Sequence, residues 1–233
     1  MPFDTQYSEF KMKPGATPRV AQPFGKSPLF PAFSYDSGFK RLLDITLVLL
    51  SAPIVLPLIA LMALLVALDG HAPFYTQLRV GRNGRTFRII KMRTMVHNAD
   101  ALLKAHLERH PSLKTEWDAT QKLKKDIRIT RIGRLLRKTS LDELPQLINV
   151  LTGSMSLVGP RPMMLCQQDL YPGKSYYRMR PGITGFWQIS ARNDCTFRDR
   201  ATHDAAYERS MSLATDVKVL AATVAVVLRG TGY

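Results

Sequence analysis

One uncharged run dominates the hydrophobic pattern of the chain, and within residues 45–68 nearly every side chain is apolar. At about 1.5 Å of rise per residue, a helix of this length reaches about 36 Å, enough to cross the hydrocarbon core of a bilayer. The pattern therefore predicts a membrane-embedded helix over residues 39–70. The preceding residues 1–38, rich in proline, glycine and serine, predict a flexible tail.

Two features of the apolar run favour a helix that enters and leaves the membrane on the same side. Pro53 and Pro57 lie inside the run, and proline removes a backbone donor and kinks a helix. Both flanks are basic, with Lys40 and Arg41 before the run and several arginines after it, and positive charge favours the cytoplasmic side. We therefore predict a re-entrant helix with its break at Ala52-Pro53, and a simple spanning helix is the alternative.

Beyond the apolar run, residues 71–233 alternate between short strand-like and helical patterns. Asn83-Gly84 stands between two β-prone runs, which is a strong hairpin signal, and alternation places Phe87 and Ile89 on one face. We expect an α+β fold, mostly helical, in which a cytosolic catalytic domain with a small β-hairpin is docked on the membrane by further helices.

Helical spacing identifies further elements of this domain. Residues 97–110 predict a helix that ends at Pro111, and residues 111–125 predict a loop with a charged surface helix. Residues 216–228 carry an apolar stripe that is too short to span a bilayer, so this helix is expected in the core or on the membrane surface.

Composition narrows the range of partners. The formal net charge is +15, and a chain this basic points to nucleic acid, anionic lipid or phosphorylated substrates. Cys166 and Cys195 stand in no CxxC motif, so a zinc site is unsupported, and so few cysteines fit a reducing compartment. His106 and His110 are four residues apart, but no carboxylate motif accompanies them, which favours a polar helix surface over a metal site.

Residues 126–162 carry the candidate chemistry. Arginines recur every three residues at 128, 131, 134 and 137, and on a helix such spacing gathers them on one positive face. Asp142 and Glu143 follow directly. Ser140 and Glu143 match a helix capping box, which is the structural interpretation of these residues. A functional interpretation uses the same placement, because a carboxylate in the first turn of a helix stays ionised beside the helix dipole.

The functional interpretation of Asp142 and Glu143 extends to phosphate chemistry. An ionised aspartate next to a diphosphate can attack phosphorus, and a neighbouring carboxylate can hold Mg²⁺, which prefers oxygen ligands and bridges phosphates. Further along, the prolines of Gly159-Pro-Arg-Pro162 stiffen the loop around Arg161, which suits a phosphate clamp or a rigid turn with a surface arginine. Phe186 and Trp187 could stack on a base or pack in the core.

Taken together, these segments resemble the bacterial sugar transferase family, the monotopic polyprenyl-phosphate phosphoglycosyl transferases that begin exopolysaccharide assembly. The resemblance covers residues 38–233. It is carried by Lys40-Arg41 and Asp44 before Ser51-Ala-Pro53, by Arg79-Val-Gly-Arg-Asn-Gly84 followed by Phe87, Lys91 and Arg93-Thr-Met95, by Thr139-Ser-Leu-Asp-Glu-Leu-Pro-Gln146, by Asn149-Val150 and Gly153-Ser-Met-Ser-Leu-Val-Gly-Pro-Arg-Pro162, and by Pro181-Gly-Ile-Thr-Gly-Phe-Trp-Gln188.

The resemblance implies a short-form enzyme of the bacterial inner membrane whose catalytic domain faces the cytoplasm. It implies that Asp142 attacks the β-phosphorus of a UDP-sugar, that UMP leaves, and that the hexose phosphate, with galactose or glucose as the sugar, then passes to undecaprenyl phosphate. It implies Mg²⁺ as cofactor, held by Asp142 and Glu143. Arg161 is expected to bind phosphate, and Arg137, Lys91 and Arg93 are further candidates.

Two rival interpretations remain at this stage. The chain could be a membrane-anchored basic module that holds nucleic acid or anionic lipid, or a structural anchor for a polymer-export complex. The adjacent acids Asp142 and Glu143 oppose a purely phosphate-binding surface unless a metal intervenes. We therefore expect UDP-sugar, undecaprenyl phosphate and membrane lipid as partners and no nucleic acid, and a homo-oligomer is left open.

Overall fold

The computed structural model describes residues 35–36, 38–120, 123, 126–190 and 197–228; the N-terminal tail and Cys195 lie outside the described residues. The helices are α1 (Phe39–Ala67), α2 (Ala99–Arg109), α3 (Pro111–Thr120), α4 (Arg131–Thr139), α5 (Leu147–Thr152), α6 (Ser175–Arg178), α7 (Phe186–Ile189), α8 (Arg200–Ser210) and α9 (Leu213–Leu228). The strands are β1 (Phe74–Val80), β2 (Thr86–Met92), β3 (Ser156–Val158) and β4 (Gly182–Thr184), and 3₁₀ helices lie at Arg82–Gly84, Leu141–Gln146 and Leu165–Leu170. The α+β, mostly helical class is confirmed.

The predicted hairpin is confirmed: β1 and β2 pair antiparallel on either side of a tight turn. Asn83 and Gly84 adopt φ values of 59° and 75° in that turn, a left-handed conformation that these two residues tolerate better than others. Phe87 and Ile89 face the same side, as expected, and pack into one apolar cluster with Val150. The hairpin thereby presents its inner face to the segment that follows α4.

A second small sheet was not predicted from the sequence. β3 and β4 pair in parallel, with Ser156 opposite Gly182 and Val158 opposite Thr184. The strands have three residues each, too short for a period-two pattern to stand out. A Cβ on Gly159 would lie 2.4 Å from the carbonyl oxygen of Arg180, so glycine is required where this sheet leads into the next loop.

The N-terminal end of α1 is tied to the rest of the fold by charged side chains. Lys40 is buried and donates to Asp216 at 2.5 Å and to the Tyr207 hydroxyl at 2.9 Å. Arg41 donates to the carbonyl oxygen of Leu151 at 2.6 Å, at the end of α5, where carbonyls lack helical partners. Asp44 is buried and accepts from the Leu157 N–H at 3.0 Å.

The C-terminal end of α1 contacts the same domain. Val66 packs with Met92 and Leu136, and its carbonyl oxygen accepts from Arg93 at 3.2 Å. Between its two ends, α1 is apolar and exposed, with a mean hydropathy of 2.6 and only 6% of its most apolar window buried. The helix is long and apolar enough to cross a membrane.

α1 runs as one helix from Phe39 to Ala67 with both prolines inside it, so the structure does not show an interruption at Ala52-Pro53. Proline removes one hydrogen bond, but the helix on either side of it continues through the remaining ones. The structure therefore does not show the re-entrant hairpin.

The predicted helices are present with adjusted boundaries. α2 ends at Arg109 and α3 begins at Pro111, so proline separates them as expected and starts the surface helix. α9 begins at Leu213, earlier than predicted, and buries Val219 in the core. The arginine face is shorter than predicted, because Arg128 precedes α4 and pairs with Asp126 at 2.6 Å.

Candidate active site

The carboxylate pair lies in the 3₁₀ helix that follows α4. Ser140 ends α4 in a left-handed conformation, with φ of 58°, and its side chain makes no capping hydrogen bond. The predicted capping box is therefore wrong, because an N-cap serine needs an extended backbone to turn its oxygen toward the helix. Pro145 lies within the same segment, which continues directly into α5. These turns project Asp142 and Glu143 toward the hairpin.

Glu143 is held by two cations from separate parts of the chain. Lys91 of β2 donates to Glu143 Oε1 at 2.8 Å, and both side chains are largely buried. Arg161 Nη2 lies 3.5 Å from the same oxygen. Lys91 and Arg161, both predicted to bind phosphate, thus converge on the carboxylate pair. These two cations, rather than a helix terminus, orient Glu143.

Asp142 is half-buried beside positive charge. Burial is the largest influence and raises the pKa of Asp142 above its usual range; Lys91 and Arg137 lower it, Glu143 raises it, and the net shift is upward. The helix dipole was predicted to keep this carboxylate ionised; in the structure, the charges of Lys91 and Arg137 favour the ionised form but only partly offset the effect of burial. A carboxylate that is desolvated yet faces cations is more nucleophilic than one in water, since little solvent must be displaced before it reacts.

Tyr75 is a site residue that the sequence reasoning missed. It lies directly opposite Lys91 in the hairpin, so the two side chains share one face. Burial and the charge of Asp142 raise the pKa of Tyr75 to about 12, so its hydroxyl stays protonated and can donate a hydrogen bond. Counting outward from the Asn83-Gly84 turn would have found this pairing.

Arg137 and Tyr75 also line a cavity of about 240 Å³ beside the carboxylate pair. Arg137 is positioned there by its Nε, which donates to the Thr94 hydroxyl at 2.9 Å. Thr94 itself packs against α4, where a Cβ on Gly133 would come within 2.0 Å of the Thr94 carbonyl oxygen. The close contact between α4 and this strand end thus fixes where the Arg137 guanidinium lies.

Arg93 has a structural role that differs from the predicted phosphate contact. Its guanidinium forms a two-pronged ion pair with Asp69, at 2.5 and 2.6 Å, and its Nε donates to the Ala72 carbonyl at 2.8 Å. The Arg93 guanidinium also donates to backbone carbonyl oxygens, among them that of Val66. Every nitrogen of Arg93 is therefore engaged by protein oxygens, and the side chain anchors the end of α1.

Trp187 and Phe186 have separate environments. Phe186 packs edge-on against Tyr207 in the core, with ring centroids 5.4 Å apart. Trp187 is 9% exposed, and the Arg161 guanidinium lies 5.8 Å from its ring centroid. Both aromatic side chains are thus packed against other residues and do not form an open surface for stacking on a base. Residues 191–196, which follow in the sequence, lie outside the described residues.

The donor set suits a divalent cation shared with substrate. Among the described residues, no group of three or more His, Cys, Asp or Glu side chains lies close enough together to hold a metal by itself. The His106 and His110 rings contact each other at 4.7 Å without a third candidate ligand. Mg²⁺ is usually bound through one or two carboxylates plus phosphate oxygens and water, and the pair Asp142 and Glu143 matches that requirement.

A largely exposed apolar helix, joined at both ends to a basic domain with a carboxylate pair between cations, suits a protein that handles phosphorylated substrates at a membrane. Comparison with known proteins identifies the family: residues 35–230 match the model for "Bacterial sugar transferase". The chain belongs to the bacterial sugar transferase family.

Several relatives resemble the chain closely. It is 45% identical over 195 residues to the UDP-galactose-lipid carrier transferase of Erwinia amylovora. The aligned region covers 83% of this chain and 41% of that protein. It is 41% identical over 196 residues to the exopolysaccharide production protein ExoY of Sinorhizobium fredii, covering 83% of this chain and 87% of that protein. It is 44% identical over 195 residues to the undecaprenyl-phosphate galactose phosphotransferase of Salmonella typhimurium, covering 41% of that protein.

Proposed function

We propose that the chain is a sugar-phosphate transferase that moves a hexose 1-phosphate from a UDP-sugar to undecaprenyl phosphate and so begins exopolysaccharide assembly. The observation that carries the proposal is the half-buried carboxylate of Asp142, which lies next to Glu143 and within the field of Lys91 and Arg137. The names of the relatives in Erwinia, Salmonella and Sinorhizobium support a galactosyl donor, a lipid acceptor and a role in exopolysaccharide production.

The first step we propose is nucleophilic attack by Asp142. A carboxylate oxygen of Asp142 forms a bond to the β-phosphorus of the UDP-sugar, and the bond from that phosphorus to the bridging oxygen breaks. UMP leaves with the electron pair, and the hexose phosphate stays on Asp142 as an acyl phosphate. Lys91, Arg137 and Arg161 offset the negative charge that builds up on the phosphoryl oxygens.

The second step returns the enzyme to its starting state. A phosphate oxygen of undecaprenyl phosphate attacks the same phosphorus, the bond to Asp142 breaks, and the carboxylate is regenerated. The product is a diphosphate-linked lipid sugar. The Tyr75 hydroxyl, which stays protonated, can donate a hydrogen bond to a phosphoryl oxygen in both steps.

Asp142 and Glu143 would hold Mg²⁺ together with the substrate phosphates, and the bound ion supplies charge neutralisation for the leaving phosphate. Holding Glu143 with Lys91 and Arg161 keeps its carboxylate in one orientation for this purpose. Arg93 takes no part in the proposed chemistry.

We further propose that α1 is re-entrant and that the domain of residues 71–233 lies on the cytoplasmic face of the inner membrane, with residues 1–38 as a separate tail. Both ends of α1 contact the same domain, through Lys40 and Asp44 at one end and Val66 at the other. A helix tied to one domain at both ends, and bent at Pro53 or Pro57 without being interrupted, would enter and leave by the same leaflet. Basic residues flank the apolar run on both sides, which supports the cytoplasmic placement.

A wholly apolar cavity of about 380 Å³ lies between α1 and the domain and supports a polyprenyl acceptor. Val55 and Leu56 line it from α1, Leu151 lines it from α5, and Leu144 and Pro145 line it directly after the carboxylate pair. An isoprenoid chain in this cavity would approach Asp142 from the membrane side.

The test is a panel of UDP-sugars, including UDP-galactose and UDP-glucose, with undecaprenyl phosphate and Mg²⁺ and with UMP release as readout. Asp142→Asn keeps the shape and removes the nucleophile, so we expect turnover to fall by at least about a thousandfold and the hexose-phosphate adduct to vanish from the mass of the intact protein. Asp169→Asn, an exposed aspartate, is the matched control. Full activity in Asp142→Asn would show that the nucleophile is wrongly assigned.

A further inference from the structure

A second group of cations lies beyond Glu143, on the far side of Arg161. The Arg200 guanidinium stacks on the same indole as Arg161, 4.2 Å from the Trp187 ring centroid, and lies 4.7 Å from the Phe197 ring centroid. Arg79 comes from the same face of β1 as Tyr75, four residues further along the strand, and interacts electrostatically with Arg161. We call Arg79, Arg161 and Arg200 the arginine cluster.

The arginine cluster gathers like charges in a partly desolvated place. Burial and, to a smaller extent, the charge of Arg161 lower the pKa of Arg200 to about 10. Burial and the charge of Arg161 lower the pKa of Arg79 in the same way. Each of these shifts means that the fold disfavours the charged guanidinium, so an anion that binds here is attracted more strongly than it would be in water.

The nearby carboxylates do not offset this charge. Glu143 Oε1, the oxygen nearest Arg161, already accepts from Lys91 at 2.8 Å. Asp204 lies near Arg200, but burial raises the pKa of Asp204 to about 7, although the Tyr171 hydroxyl donates to it at 2.7 Å. Asp204 is therefore only partly ionised at neutral pH, and the arginine cluster keeps an excess of positive charge.

Two buried donors at the cluster have no acceptor. Within the part of the chain that the structure describes, neither the Trp187 indole N–H nor the Arg200 Nε has a hydrogen-bond partner. Trp187 is 9% exposed, and buried N–H groups are paired in the great majority of cases. Among the described residues, the Arg79 guanidinium donates to two neutral oxygens: the side-chain amide oxygen of Gln77 at 2.5 Å and the carbonyl oxygen of Leu78 at 3.4 Å.

We propose that the arginine cluster and the Trp187 indole N–H form an anion subsite for a substrate phosphate group, next to the carboxylate pair but separate from Lys91 and Arg137. The inference rests on the proposed function and deepens it, because it adds Arg79, Arg200 and Trp187 to the residues that bind substrate. The phosphate belongs either to the diphosphate of the nucleotide-sugar or to the monoester of the lipid acceptor, and the experiment distinguishes these sources.

The experiment measures KM for the UDP-sugar and KM for undecaprenyl phosphate on the full chain in lipid nanodiscs. Arg79→Gln and Arg200→Gln are each expected to raise one and the same KM by about tenfold or more, the effect of losing one charge-assisted hydrogen bond. A rise in the KM of the UDP-sugar assigns the subsite to the donor diphosphate, and a rise in that of the lipid assigns it to the acceptor phosphate. Arg85→Gln and Arg198→Gln remove the same charge at exposed positions and are the controls.

Two further variants separate binding from folding. Trp187→Phe keeps an aromatic ring beneath the guanidinium of Arg200 and removes the indole N–H with its five-membered ring, so it should raise the same KM by a smaller factor. Arg200→Lys keeps the charge but loses the planar guanidinium, so it should raise the same KM by less than about tenfold; it is the variant to measure if Arg200→Gln does not fold.

The result that overturns the inference is a pair of unchanged KM values in Arg79→Gln, Arg200→Lys and Trp187→Phe, or a fall in kcat with both KM values within twofold of wild type. Because these outcomes are scored in an enzyme that still releases UMP, they leave the proposed function standing. If the wild-type protein releases no UMP from any UDP-sugar, the proposed function itself fails, and that outcome is recognised independently of the arginine variants.

Discussion

Replacing Asp216 by asparagine removes the negative charge that holds the start of α1 against the catalytic domain. Asp216 accepts from Lys40 at 2.5 Å, from the Tyr207 hydroxyl at 2.6 Å and from the Tyr35 hydroxyl at 2.8 Å. The side chains of Lys40 and Asp216 are only 5% and 1% exposed. Asp216→Asn keeps the shape of the side chain and leaves the buried Lys40 ammonium without its ion-pair partner, with Asp44 as the remaining carboxylate that interacts with it.

The expected cost follows from that burial. Removing one partner of a buried ion pair destabilises a protein by about 3–5 kcal/mol, because the remaining charge is left uncompensated. For a chain of this size, each kcal/mol lowers the unfolding temperature by roughly 2–4 °C. We therefore expect Asp216→Asn to lower the unfolding temperature by about 6–20 °C. The double variant Lys40→Met with Asp216→Leu should regain most of this loss, since it removes both charges together.

The assay is thermal unfolding of the purified chain in detergent micelles, followed by intrinsic fluorescence. Lys218→Met, at an exposed position on α9, is the control for removing a lysine charge and should leave the unfolding temperature within about 2 °C of wild type. If Asp216→Asn shifts the unfolding temperature no more than this control does, the reasoning about the buried ion pair is refuted.

The remaining predictions concern pH, packing and lipid access. The raised pKa of Asp204, about 7, means that the folded chain holds a proton that the unfolded chain releases near pH 4. Stability therefore falls as pH rises from about 4 to about 7, by roughly 4 kcal/mol, and this group causes no further loss at higher pH. Unfolding of Asp204→Asn should depend less on pH than unfolding of wild type, and equal dependence would contradict the assignment. Asn149→Ala removes bonds to the Ile90 N–H at 3.0 Å and the Arg88 carbonyl at 2.8 Å, so the free energy of unfolding should fall by about 1–3 kcal/mol in thermal unfolding. Val55→Trp should fill the apolar cavity and raise KM for undecaprenyl phosphate about tenfold without changing KM for the UDP-sugar. Leu50→Trp, at an exposed position of the same helix, should change neither KM. Equal kinetics in the two variants would show that the lipid does not bind in this cavity.

The parts of the fold that depend only on residues adjacent in the sequence could be predicted from the sequence. An uncharged apolar run forms α1 whatever packs around it, Asn83-Gly84 favours a tight turn locally, and Pro111 cannot continue α2 because it lacks an N–H. The short parallel pair β3 and β4 could not, because its partners are far apart in the sequence and each strand is too short to show a pattern.

The candidate site divides in the same way. Asp142, Glu143 and Arg161 stand out in the sequence because they sit in distinctive motifs, and the structure places Glu143 beside both Lys91 and Arg161. The positions of Tyr75 and Arg79 follow from hairpin register and were within reach of the sequence, although the pattern alone gave no reason to single them out.

Lys91 and Arg93 show what only the tertiary structure decided. Both are basic, they lie two residues apart, and strand alternation would place them on one face. β2 ends at Met92, however, so the alternation stops, and Arg93 turns to Asp69 while Lys91 faces Glu143. Which cation faces the carboxylate pair depends on where the end of α1 returns to the domain, a long-range contact that no local pattern encodes. Residue types and local elements were thus determined by the sequence alone, and the pairing of charges was determined by packing between distant segments.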